Sequence, residues 1–87
     1  MRINDSFSDP QPMIDLIDRE AASRNLSVYA LNEALREGDQ DNPPDLCRIH
    51  YHLRAGIRLP TLKMADRICT ALDAHVGDIY PEYWDEH

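Results

Sequence analysis

Apolar residues recur along this chain at spacings of three and four and never in sustained alternation, a pattern that predicts helices and no strands. Met13, Ile14, Ile17, Ala21 and Ala22 form the first stripe, with Asp15, Asp18 and Glu20 set between them. Pro10 and Pro12 bracket its start, because proline's fixed φ suits a first turn and its missing N–H is not needed there. Asn25 tolerates the left-handed conformation and closes this helix near Arg24–Asn25. Ser27 is a good N-cap for a second helix, whose stripe is Ala30, Leu31, Ala34 and Leu35 and whose stop is Gly38. The tract 39–44, DQDNPP, is polar and proline-stopped, and so reads as a loop. Asp45 caps a third helix with Ile49 and Leu53 inward, and Gly56 stops it. Pro60-Thr61 opens a fourth helix with Leu62, Ala65, Ile68 and Leu72 on one face. Val76, Ile79 and Tyr80 suggest a short last turn. The expected architecture is all-α, a compact bundle of four to five helices around one core. Residues 1–11 are expected as a loose lead-in, 12–80 as the helical domain and 81–87 as an aromatic and acidic tail.

Composition adds one contrast. A chain of 87 residues supports one domain with a modest core. Its formal net charge of −7 argues against holding nucleic acid by bulk charge. Yet between Cys47 and Ala65 there are four bases (Arg48, Arg54, Arg58, Lys63) and no acid, which leaves five bases against sixteen acids elsewhere. An acidic protein that keeps one segment free of acids is expected to use it on something anionic. No apolar run approaches the ~18 residues of a membrane span. The polar opening MRINDSFSDP is unlike a secretory leader. Cys47 and Cys69 show no pairing pattern, and together these features lead to an expected cytoplasmic location.

The order of these features resembles the Cro/lambda-repressor-like helix-turn-helix proteins, small phage or prophage regulators. Leu26-Ser27 with Leu31 and Leu35 is similar to that family's second helix. Ile49, Leu53 and Gly56 are similar to its recognition helix and stop. Pro60, Leu62, Ala65, Ile68, Ala71 and Leu72 resemble the following helix, and Val76 to Tyr80 the last. The likeness covers roughly residues 13 to 80. Two features depart from the family pattern. The segment from Leu35 to Asp45 is longer than the usual turn and carries Glu37, Asp39 and Asp41, and Val28 stands where the family often has a backbone-contacting glutamine. The resemblance implies a sequence-specific transcriptional regulator, a repressor that occludes a promoter, bound to double-stranded DNA as a homodimer.

The same resemblance assigns candidate roles. Leu46, Cys47, Arg48 and Tyr51, with His50 alongside, would face the bases. A guanidinium such as Arg48 can pair bidentately with guanine O6 and N7, and Leu46 could pack on a thymine methyl. Arg54, Arg58 and Lys63 would clamp phosphates, as would the N–H groups at Thr61–Leu62. His50, His52 and His75 with Cys47 and Cys69 invite a metal reading, but no CxxC or HxxxH spacing supports it. The carboxylates are spread along helix faces rather than paired, so no enzyme activity, cofactor or metal is expected. Tyr80, Tyr83 and Trp84 form an aromatic group suited either to folding back on the first helix or to a dimer or partner interface. The alternative function is a protein–protein module on the same fold, an inhibitor or antirepressor, using its acidic face or this aromatic segment.

Overall fold

Capping chemistry sets the helix boundaries. The computed structural model describes residues 7, 9–38, 43–81 and 83. Five helices follow in order: α1 (Gln11–Ser23), α2 (Val28–Glu37), α3 (Leu46–Arg54), α4 (Leu62–Ala71) and α5 (Val76–Ile79). The side chains of Ser27, Asp45 and Thr61 accept from the N–H groups of Ala30, Arg48 and Met64 at 3.0, 3.2 and 3.0 Å. Each thereby satisfies one of the donors that a helix start leaves open. His75 caps α5 in the same way, its Nδ1 accepting from Gly77 N–H at 3.1 Å. α1 starts on Pro10, which supplies no side-chain cap, and Asp9 Oδ1 accepts from Gln11 N–H at 3.0 Å instead.

Three helices end in one common closure. Asn25, Gly56 and Asp73 take left-handed φ values of 58°, 74° and 59°. The next residues, Leu26, Ile57 and Ala74, donate N–H bonds back to the carbonyls of Ala21, His52 and Cys69 at 2.8, 2.9 and 2.7 Å. These six-to-one bonds satisfy carbonyls that the helix ends would otherwise leave unpaired. Glycine adopts this conformation without steric cost, whereas Asn25 and Asp73 carry a Cβ there.

α1 touches α2, α3 and α5, α2 packs on α3, and α4 meets α5. Met13, Leu16, Ile17, Leu31, Leu46, Leu53, Ile68 and Tyr80 are the large side chains at the centre. Two expected core positions are exposed, Ala22 and Ala34. Ala22 lies half a helical turn from Met13, and Leu16 fills the inward position instead. In α2 the inward direction falls between Leu31 and the buried Asn32, which turns Ala34 away.

Phe7 and Asp9, before α1, make contacts with the far end of the domain. Phe7 stacks flat on Tyr80, with ring centroids 4.0 Å apart and planes 4° from parallel. Phe7 N–H donates to the Pro60 carbonyl at 2.8 Å. The Tyr80 hydroxyl donates to the Asp9 carbonyl at 2.7 Å. Tyr80 is therefore 1% exposed. It is a core residue and not part of a partner interface, which corrects the sequence assignment and favours the fold-back alternative at this position. Phe7→Ala is expected to lower stability by about 2 kcal/mol through lost stacking and burial. Tyr80→Phe, losing one hydrogen bond, should cost about 1 kcal/mol. Urea unfolding followed by circular dichroism measures both, and the Phe7 change should be the larger.

Candidate nucleic-acid interface

The third helix shows most directly what this surface can do. Its inward residues are Leu46, His50 and Leu53, with Ile49 half-buried against the core. Arg48, Tyr51 and Arg54 are exposed, while Cys47 and His52 are half-buried. Residues three apart on a helix are neighbours with Cβ atoms ~5–6 Å apart, so Arg48, Tyr51 and Arg54 form one outward row. Tyr51 is 63% exposed between two guanidinium-bearing neighbours.

Two of the five expected base-facing residues are elsewhere. Leu46 is 0% exposed, its side chain in the core and its N–H donated to Asn32 Oδ1 at 2.8 Å. His50 is nearly buried, with Nε2 2.8 Å from Asp18 Oδ1 on α1. Neither can reach a base edge, because both sit on the face by which α3 docks onto its own domain. Cys47 lies at the margin. Burial, then the nearby Asp45 and Glu33, push its thiol above its ordinary value. This places acidic charge beside the N-terminal end of α3.

Arg54, Arg58 and Lys63 are all exposed. Arg58 and Lys63, with Arg67, line a groove of about 320 Å³ between α3 and the first turns of α4. Pro44, Ile49, Thr61 and Met64 complete its walls. Among the described residues no acid lines it. The sequence reading missed Arg67, although Lys63 and Arg67 stand at i, i+4 on one helix face. It also missed Tyr29, 66% exposed in the first turn of α2.

The residues that aim this surface carry no charge motif. Asn32 is 7% exposed on α2 and holds the first N–H of α3. Asp45 adds a second cap at Arg48 N–H. The His50–Asp18 contact fastens the middle of α3 to α1. Together they fix the roll of α3 about its axis, and so decide that 48, 51 and 54 point outward.

The remaining candidates are dispersed. Cys69 is 2% exposed in the core, and its thiol is pushed up to about 11 by burial, then by Asp66 and Asp78. His75 is engaged in capping α5. His52 Nδ1 is buried without a hydrogen-bond partner. Among the described residues no group of three His, Cys, Asp or Glu side chains could hold a metal ion. Tyr83 is half-buried and edge-on to His75, with ring centroids 6.1 Å apart. Trp84, Asp39 and Asp41 lie outside the described residues, and Glu37 is exposed. Among the described residues no helix is long and apolar enough to cross a membrane. No protein-family model, curated protein or solved structure matches this chain.

Three outcomes follow. Asn32→Ala leaves the Leu46 N–H buried and unpaired, so stability should fall by about 1–3 kcal/mol in urea titration. At pH 8 iodoacetamide should modify Cys47 well before Cys69, as mass spectrometry of timed samples would show. Stability should also decline as pH rises from about 9 toward 11. There the unfolded Cys69 thiol ionises while the folded one keeps its proton.

Proposed function

We propose that this chain is a sequence-specific DNA-binding regulator, a small phage-type repressor that reads the major groove with α3. The observation that supports this reading is the outward row of Arg48, Tyr51 and Arg54. It projects from a helix whose opposite face is core and whose start is fixed by α2. Arg48 is the base-reading residue, with Tyr51 beside it and Cys47 at the edge. Arg54, Arg58 and Lys63 position the backbone, joined by Arg67. Helices presented in this way place their N-terminal half at base edges, and cations at the flanks hold the phosphates. Three or four phosphate contacts give a shallow salt dependence, a slope of ~0.9 per phosphate. A homodimer on a two-fold site would double that slope, so the active form is a dimer.

A second reading has its own support. Glu33 and Asp45 lie beside the N-terminal end of α3, where DNA would approach, and the chain carries a net charge of −7. On this reading the domain is a protein-binding module, an inhibitor or antirepressor. A mobility-shift assay on promoter-region DNA at low and moderate salt separates the two. Absence of a shift in both conditions would select the protein-binding module. If DNA binds, Arg48→Ala should weaken the matched site by about 1–3 kcal/mol and scrambled DNA little. Lys63→Ala should weaken all sequences alike and reduce the salt slope by ~0.9. Equal effects of the two substitutions on matched and scrambled DNA would refute the assigned roles.

A further inference from the structure

Burial of Leu46 in the core removes the apolar side chain assigned to a thymine methyl. The outward row of α3 keeps one large apolar surface, the exposed ring of Tyr51. A phenol is amphipathic, with an apolar body and a polar tip. Among the described residues neither the Arg48 guanidinium nor the Tyr51 hydroxyl holds a hydrogen bond or an ion pair. Both side chains are therefore open to a partner brought against the row. Their spacing is a second observation. Residues 48 and 51 are three apart, so they differ by about 4.5 Å along the helix axis. A base pair advances about 3.4 Å along a strand. A helix in the groove that sets Arg48 on one base pair thus brings Tyr51 to the next. Arg54 lies about 9 Å from Arg48 along the same axis, beyond that step and toward the backbone.

We propose that Tyr51 is a specificity-determining residue, its ring packed on the C5 methyl of a thymine in the base pair beside the guanine held by Arg48. The inference rests on the DNA reading above and adds a second letter to its site. In the major groove thymine is the base that carries a methyl, next to its O4 acceptor. A ring laid against that methyl removes apolar area from water. Cytosine offers a polar N4 amine at the same edge and no methyl. Guanine presents two acceptors, O6 and N7, to the fork of Arg48, so the pair reads a G·C step beside a T·A step. The competing use of Tyr51 is a hydroxyl bond to a phosphate, which carries no sequence information. Tyr51 lies away from the face that carries Leu46 and Leu53, so changing it leaves the core untouched.

The full chain is equilibrated at low salt with duplexes carrying a randomised core, and the retained DNA is sequenced. The expected sites hold a G·C pair directly beside a T·A pair. In the tightest duplex that thymine is then replaced by deoxyuridine, which lacks only the methyl. Affinity should drop about fourfold, the cost of exposing one buried apolar carbon. Tyr51→Phe keeps the ring and should discriminate as the unchanged protein does. Tyr51→Ala should bind the thymine and uracil duplexes equally, and circular dichroism confirms that each variant is folded. Enriched sites without the adjacent thymine would overturn the proposal while leaving the DNA reading intact. So would a uracil duplex bound as tightly as its thymine parent. Equal losses for Tyr51→Phe and Tyr51→Ala on every sequence would also overturn it, by assigning the hydroxyl to a phosphate. If no duplex is retained, the DNA reading itself fails and the proposal falls with it.

Discussion

One buried hydrogen bond sets the orientation on which this surface depends. Asn32 Oδ1 accepts from Leu46 N–H inside the domain, 14 residues along the chain and on a different helix. A peptide N–H at a helix start needs a partner once water is excluded, and a carboxamide from a packed neighbour supplies it without charge. The consequence is directional. With its first turn attached to α2 and His50 attached to Asp18 of α1, α3 cannot roll. Leu46 and Leu53 are committed to the core, and the arginines at 48 and 54 are committed to solvent.

A second set of contacts acts on the next element. Phe7 is joined to Tyr80 by its ring and to Pro60 by its backbone, so the entry to α4 is held from outside the helix pair. Pro60 precedes the Thr61 cap and follows the exposed Ile57-Arg58-Leu59 loop. Arg58 thus stands on a loop fixed at both ends, by the Gly56 closure and by Pro60, and Lys63 and Arg67 stand on the helix that follows. The acids cluster differently: Asp45 and Glu33 lie near Cys47, at the other end of α3. Any anion meeting this surface is drawn off-centre, toward Arg58 and Lys63.

Much of the fold was legible because local chemistry and global packing agree. Ser27, Asp45 and Thr61 cap as their types suggest, and Asn25 and Gly56 take the left-handed turns their residue types permit. The site was legible only in part. Periodicity locates a helix, but its roll within the domain depends on which neighbours it meets. Leu46 and His50 are assigned to the bases only by the resemblance of this segment to a recognition helix. They are inward because Asn32 and Asp18, on other helices, hold them there. Likewise a lone Phe7 among polar residues gave no periodic signal, and its stacking partner is distant along the chain.

That distance matters for how the protein is made. The Tyr80 hydroxyl bond to Asp9 joins residues 71 apart, so one of the domain's early segments must wait for one of its late ones. Contacts of such separation carry a loop-closure cost and form late relative to local helices. A nascent chain that has emerged only through α4 already contains every groove cation, yet Pro60 is not yet fastened by Phe7 on Tyr80. The basic loop would therefore acquire its fixed geometry only after Tyr80 has cleared the ribosome. Until then the loop that carries Arg58 is unanchored at its Pro60 end, and its geometry arrives with the end of folding.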